Sequence, residues 1–497
     1  MSNQNYLLTY DIGSTAVKII LFDTNLKVIY KNEKKVKTYN DDNYDYQKAT
    51  DWWNIIVELT NKMVKNEKIK SKNIKAISST GQMEDCLLLD GQGKALTEVL
   101  LYSDGRAKEE YQYLVDKYGR EKLDSMMGNN FDTLMSINKY MWLRDKRPHK
   151  FEEHRHLILG SKDYINFRLT GKNVTDYTNA STTGFLDINK MKINKGIIND
   201  LDFDNSKLPN IKKATDIIGR LKESPAEELG LKAGIPIING AGDVGASTLG
   251  AGAWNEGDIY CYLGTTGWLA MPSGDISENK NLFTLSNIEG NDYIIAGAVL
   301  NAGQTYDWFL SKIMDYENSN GNKYSTIENN IKNLNKKEIG VIFVPYLNGE
   351  RSPLKVETDN GIFAGMGTGT DKLKMLYSVL EGVSFSLKHN MLEMLGNIES
   401  DNEKGKAINI IGGGSKSKIW PQLIATILER KVNVLELEAG APSLGSALIA
   451  LKALNNEKKL TISNIYKNNE TFTPIEEEIN HYRDKYKKYL ELVKANF

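Results

Sequence analysis

One short plan occurs twice in this chain, about 250 residues apart. Residues 6–23 (YLLTYDIGSTAVKIILFD) read as strand, Gly-Ser-Thr turn, strand. Residues 258–271 (DIYCYLGTTGWLAM) read as strand, Gly-Thr-Thr-Gly turn, strand. Two matched hairpins at that separation predict two domains of related fold facing each other, with a boundary near Gly240. In the first hairpin Val17, Ile19 and Leu21 alternate with Lys18, Ile20 and Phe22, the period of a strand with two different faces. Strand and helix signals alternate through the rest of the chain, so the fold class is α/β.

A third glycine turn follows the short apolar strand of residues 407–411. Beyond Gly412, Gly413 and Gly414, the residues Ile419, Trp420, Leu423, Ile424, Ile427 and Leu428 mark one face of a helix. Pro421 falls in the first turn of that helix, where proline is tolerated. Residues 432–437 read as the next strand. Residues 439–454 read as a helix rich in small side chains and therefore closely packed. A polar helix over about residues 475–495 ends the chain and packs back on either domain.

With 497 residues the chain is long enough for two or three domains. A net charge of −1 gives no electrostatic reason to expect nucleic acid or an anionic membrane as partner. The lysine-rich stretches 31–37 and 65–75 read as solvated surface. Cys86 and Cys261 sit in apolar surroundings, which excludes a disulfide framework and fits a reducing cytoplasm. The N-terminus runs directly into a strand pattern, and no apolar run approaches the roughly 20 residues that span a bilayer. A soluble cytoplasmic protein is expected. His149, His154 and His156 cluster in a polar segment without HExxH or a cysteine partner, and read as exposed loop or helix start rather than a metal site.

Glycine turns carrying hydroxyls suit phosphate, because bare backbone amides approach its oxygens closely. Ser14, Thr15, Thr265 and Thr266 add hydroxyl donors, and Asp11 stands where it could hold a magnesium ion through water. Gly413 and Gly414, near a helix N-terminus, resemble a nucleotide platform. Neither a GxxxxGK[ST] loop nor a GxGxxG following the first strand occurs. Asp243 lies in GAGDVGAS among residues too small to shield it, so it could accept a proton from a substrate hydroxyl. A helix N-cap is the competing reading for it.

In order along the chain stand DIGSTAVK, GQMEDCLLLD, YSDGRA, INKYMWLRDKRP, NGAGDVGASTLGAGA, YLGTTGW, PYLNGERSP, GIFAGMG, LYSVLEGVSFSL and IIGGGSKSKIWPQLIA. Together these segments resemble the FGGY carbohydrate kinases, of the actin/hexokinase/Hsp70-type fold, over nearly the whole chain. The resemblance implies two actin-like ATPase (ribonuclease H-like) domains with a catalytic cleft between them. Residues 1–240 would bind sugar and carry the first phosphate hairpin; residues 241–497 would carry the base and the ATP site. Asp243 would be the catalytic base and Asp11 the Mg2+ residue. Gly13, Ser14, Thr15, Lys18, Gly264, Thr265 and Thr266 would serve the phosphates of ATP. Gly413, Gly414 and Ser417 would lie along the adenosine. Gln82, Met83, Glu84, Asp104 and Arg106 occupy sugar-facing positions, with Gln304 a weaker candidate; Glu350, Arg351 and Glu381 match family signatures that also serve as braces.

Departures from the family bear on the substrate. Xylulokinases usually carry Met-His-Gly where this chain has Met83-Glu84-Asp85, and glycerol kinases an Arg-Glu pair whose arginine is missing here. Many relatives have Trp at the position of Tyr102, and the residue after the base, Val244, is often polar in those two subfamilies. The expected reaction is in-line transfer of the γ-phosphoryl group of ATP to a sugar hydroxyl, with domain closure excluding water. Glu84, Asp104 and Asp243 favour a neutral polyhydroxylated acceptor, most simply a ketopentose of the D-xylulose or ribulose type; another ketose, a polyol or gluconate stays open. The same fold also serves nucleotide-binding chaperones and non-catalytic relatives. Homodimers are common among the relatives.

Overall fold

The Gly13 N–H donates to the Ala16 carbonyl at 3.1 Å and closes the first hairpin, between antiparallel strands β1 (Tyr6–Ile12) and β2 (Ala16–Asp23). The computed structural model describes residues 5–41, 43–66, 69–315, 323–396, 406–454, 466 and 470–497. Its chain divides into two compact units. The first comprises Met1–Gly250, Thr284–Ile294 and Leu437–Ile465; the second comprises Ala251–Phe283, Ile295–Glu436 and Tyr466–Phe497.

In the first unit, the hairpin is joined by β3 (Val28–Lys35), β4 (Ile74–Gly81), β5 (Ile217–Arg220) and β6 (Pro236–Gly242) in the order β3-β2-β1-β4-β6-β5. β1 runs parallel to β4 and β4 parallel to β6, while β6 and β5 are antiparallel. In the second unit, β7 (Ile259–Leu263) and β8 (Gly267–Ser273) form the second antiparallel hairpin. With β9 (Tyr293–Val299), β10 (Ile408–Ile411), β11 (Val432–Val434) and β12 (Glu470–Phe472) the order is β9-β8-β7-β10-β11-β12, and the short strand Phe283–Ser286 adds a seventh beside β9. Here too β7 pairs parallel with β10 and β10 with β11, and the last pair, β11 and β12, is antiparallel. The repeat read from two turns therefore extends over six strands of each sheet, and the second sheet carries a seventh strand at its edge.

One expectation within the first hairpin is corrected. Val17, Ile19 and Leu21 are buried, but so are Ile20 and Phe22. β2 lies inside the sheet between β1 and β3. A strand buried on both faces loses its polar alternation. His154 is a second correction: it is buried, with Nε2 2.9 Å from the Tyr140 hydroxyl, and burial lowers its pKa to about 4. The tyrosine supplies the polar partner that a sequence segment rich in charge could not identify.

Five helices position the chemistry of the first unit: α1 (Ser136–Lys146), α2 (Ser161–Thr170), α3 (Tyr177–Ala180), α4 (Asp243–Gly250) and α5 (Ala441–Leu454). α4 starts on the residue after β6. α5 packs on α4, β1 and β4. Small residues set this approach: a Cβ on Gly445 would lie 1.8 Å from the Ala246 carbonyl oxygen, and one on Gly250 would lie 2.0 Å from that of Ala441. The close packing expected of residues 439–454 is thus backbone against backbone.

The second unit's core surrounds the helix Lys372–Leu395, buried along most of its length. The C-terminal helix Glu476–Asn496 belongs to this unit, where the Tyr377 and Tyr482 hydroxyls meet at 2.7 Å. Lys485 pairs with the buried Glu381 and donates to the Ile339 carbonyl at 3.1 Å. Cys86 and Cys261 are buried and free. Among the described residues, no helix is long and apolar enough to cross a membrane.

Candidate active site

β1 and β2 set Asp11 opposite Lys18, with the carboxylate 3.7 Å from the ammonium. The Ser443 hydroxyl, from α5, donates to the same carboxylate at 3.5 Å. Burial raises the Asp11 carboxyl against the pull of Lys18 and Ser443. Ser14 and Thr15 sit at the open tip of the hairpin, where the Ser14 carbonyl accepts from Gln47 at 2.8 Å.

Asp243 opens α4 directly after β6. It keeps some exposed surface, yet protein surrounds its carboxyl closely enough to push it up to about 7. Burial is the main cause and Asp11 the next; the Val244 amide opposes them, and Glu84 adds to the rise. Asp11 and Glu84 therefore both act electrostatically on Asp243. A carboxyl so tuned accepts a proton near neutral pH.

Gln82, Met83 and Glu84 follow β4. Gln82 is buried and donates to both Asp85 oxygens at 3.2 and 3.0 Å. Met83 packs on Gly242, where a Cβ would lie 2.5 Å from its sulfur. Glu84 has φ 60°, the left-handed region, which costs a non-glycine residue about 1–2 kcal/mol. Asp104 and Arg106 are brought together rather than offered separately: the Arg106 Nε donates to both Asp104 oxygens at 2.9 and 2.8 Å. The guanidinium also reaches Asp41 at 3.3 Å and lies over the Tyr44 and Trp142 rings. Lys139, on α1, is fully buried and donates to the Glu84 and Leu101 carbonyls.

Sequence reasoning missed Lys139 and a second buried group. Lys162 lies 2.6 Å from Asp163 and 2.9 Å from Asp176, and all three are at most 1% exposed. Burial works against the Lys162 charge, but the two carboxylates win and raise its pKa. Asp176 caps α3 by accepting the Thr178 and Asn179 amides, and also accepts the Gly242 N–H at 3.2 Å. The helix Ser161–Thr170 mixes polar and apolar residues, so Lys162 and Asp163 did not stand out in the sequence.

In the second unit, the Gly264–Thr266 turn rests on the segment that follows β9. Gly303 and Gln304 donate their amides to the Gly264 and Thr265 carbonyls, each at 2.9 Å. The Gln304 side chain donates to the Leu300 carbonyl at 2.6 Å. Gln304 thus sits beside this turn and in a different unit from Gln82 and Glu84. Glu350, buried and pushed up to about 7 by that burial, accepts the Leu300 and Arg351 amides.

The third turn meets the second at Leu263: a Cβ on Gly412 would lie 2.5 Å from the Leu263 carbonyl oxygen, and one on Gly414 2.6 Å from its side chain. Gly413 is exposed with nothing within 4 Å of a Cβ position, an open face for a ligand. A 3-10 turn, Gly413–Lys416, separates these glycines from the helix Trp420–Leu428. The Ser417 hydroxyl accepts the Ile419 and Trp420 amides there, at 3.2 and 3.0 Å.

Among the described residues, no three or more His, Cys, Asp or Glu side chains gather as a metal cage. A hydrated magnesium ion bound with a nucleotide keeps several waters and takes one or two protein carboxylates. Asp11, beside the hydroxyl-bearing turn, is suited to that role.

The family model for the N-terminal domain of the FGGY family of carbohydrate kinases matches residues 6–250, and the C-terminal model matches residues 259–454. A xylulose kinase of Bacillus subtilis is 27% identical over 501 residues, covering 94% of this chain and 97% of that protein. Among solved structures, a ligand-bound xylulose kinase from Lactobacillus acidophilus superposes with a TM-score of 0.89 at 26% identity, covering 99% of this chain and 98% of the other. A gluconate kinase from the same organism gives a TM-score of 0.88 at 26% identity and the same coverage. With both family models matched in order across most of its length, the chain belongs to the FGGY family of carbohydrate kinases.

Proposed function

We propose that this carbohydrate kinase transfers the γ-phosphoryl group of ATP to a hydroxyl of a ketopentose, of the D-xylulose or ribulose type, with Asp243 as general base. The observation that carries the reading is Asp243 itself: at the head of α4, beside Asp11 and Glu84, with a carboxyl near 7. Such a group is deprotonated often enough at neutral pH to act, and basic enough to take a hydroxyl proton as the phosphoryl group arrives.

The roles of the remaining residues follow from their chemistry. Gly13, Ser14, Thr15 and Lys18 would contact phosphate from the first hairpin, and Gly264, Thr265 and Thr266 from the second. Gly413, with its open face, and Gly414 would line the adenosine, and Ser417 would hold the adjoining helix start in place. Asp11 would hold Mg2+, which when bound supplies positive charge to the transferring phosphoryl oxygens. Gln82, Met83, Glu84 and Asp104 would face the sugar, with Arg106 holding Asp104.

A neutral ketose is favoured over gluconate by charge. Glu84 and Asp104 are acidic, and the nearby Arg106 is already paired with Asp104 and Asp41. An aldonate carboxylate would meet these carboxylates with the Arg106 charge already committed. The xylulose kinase similarity supports the same choice.

The test is coupled ADP release with Mg-ATP across ketopentoses, other ketoses, polyols and gluconate. One strong ketopentose response supports the reading, a gluconate response replaces the substrate, and sugar-independent turnover alone rejects the acceptor assignment.

A further inference from the structure

We propose that Asn179 and Lys139 are positioning residues that clamp Glu84 in its left-handed conformation and thereby set the direction in which its carboxylate meets the acceptor sugar. The inference rests on the kinase reading above and names how its sugar side is held.

Glu84 is pinned on both sides of its Cα. Its N–H donates to Asn179 Oδ1 at 3.3 Å, and its carbonyl accepts from Lys139 Nζ at 3.0 Å. Released from both, a glutamate relaxes to negative φ, which swings its side chain away from its present direction. An outlier held from both ends by buried groups is the form in which strain persists at functional sites.

The two pins are themselves fixed. Asn179 donates through Nδ2 to Asp163 Oδ2 and to Thr175 Oγ1, each at 2.9 Å, so its oxygen is the atom left to face Glu84. Asp163 is held by Lys162, Lys162 by Asp176, and Asp176 accepts the N–H of Gly242, the residue before Asp243. One buried network therefore reaches from the Glu84 backbone to the strand that delivers the base. Lys139 adds a tie of a different kind: its second bond, 2.6 Å to the Leu101 carbonyl, joins the Glu84 segment to the one that carries Asp104.

The experiment compares wild type, Asn179→Ala, Glu84→Ala and the double variant, in steady-state kinetics and in backbone hydrogen exchange. Asn179→Ala is expected to raise the sugar KM by about tenfold to a hundredfold, with the ATP KM unmoved. In the Glu84→Ala background the same change is expected to add nothing, because the clamp acts through that carboxylate. Faster exchange over residues 83–85 in Asn179→Ala accompanies both. An unchanged sugar KM, an equal rise in both KM values, or a full additive loss in the Glu84→Ala background overturns the proposal. If wild type turns over no sugar, the kinase reading fails, and exchange alone decides the clamp: unchanged protection of residues 83–85 refutes it.

Discussion

Asp176 Oδ1 accepts the backbone N–H of Gly242 at 3.2 Å, so a buried carboxylate holds the peptide from which Asp243 departs. Its charge is matched by Lys162 at 2.9 Å, which leaves it free to orient the backbone rather than to repel the base. The position of Asp243 is thus set from behind by a group that never meets solvent. Asp243→Asn keeps the shape and removes the proton acceptor. We expect kcat to fall by about 10²–10⁴-fold with nucleotide affinity unchanged, read by coupled ADP release and by nucleotide titration. Near wild-type turnover in this variant would remove Asp243 from the mechanism.

The same carboxyl predicts a pH profile. Because the free base is required and its pKa is about 7, kcat/KM is expected to fall tenfold per pH unit below about 7 and to level off above it. Stability runs the other way. The folded-state pKa lies above the ordinary carboxylate value, so the unfolded chain releases this proton first as pH rises. The stability associated with protonated Asp243 is complete below the ordinary value and is lost as pH rises through about 7. Asp243→Asn should therefore raise Tm at pH 8 and change it little at pH 4, a comparison made by calorimetry.

Gly413 separates a binding role from a folding one. Its Cβ position is empty to 4 Å and its φ is not left-handed, so Gly413→Ala should leave Tm within a degree or two of wild type. If the adenosine lies on this face, the ATP KM rises severalfold while the sugar KM stays put. Equal values for both would place the nucleotide elsewhere.

Glu381 and Lys485 form a buried pair in the second unit. Burial pushes Glu381 up to about 7 even with the lysine present. Lys485→Met strands a buried carboxyl, and removing one partner of such a pair costs about 3–5 kcal/mol. The loss should be smaller at pH 5, where the carboxyl is protonated, than at pH 8. Urea denaturation at the two pH values measures it, and an equal loss at both would show that the charge is not what matters.

Gly445 tests the helix contact under the site. A methyl group there would press within 1.8 Å of the Ala246 carbonyl oxygen, in the helix that Asp243 opens. Gly445→Ala should destabilise by about 1–3 kcal/mol through overpacking and also lower kcat by displacing α4. Unchanged urea midpoints would mean the two helices yield more easily than backbone contact suggests.

The parts legible in the sequence are those written within a few residues of themselves. Turn glycines with hydroxyls marked both hairpins, and Ile419, Trp420, Leu423, Ile424, Ile427 and Leu428 marked an apolar helix face whose six side chains are all buried. Asp243 stood out because its neighbours are small. Steric rules and periodicity act over one or two turns of chain, so they survive in a linear string. Lys139, Lys162 and Asp163 were invisible for the opposite reason. A charged side chain reads as surface because its burial is prohibitive alone, and only the tertiary structure supplies the carbonyls and carboxylates that make it tolerable. Ser443 reaches Asp11 across 432 residues of sequence, and no local pattern carries a partnership of that length. The chemistry of the turns is a property of the sequence; which buried charges hold Glu84 and Asp243 in place is decided by the packing of segments far apart along it.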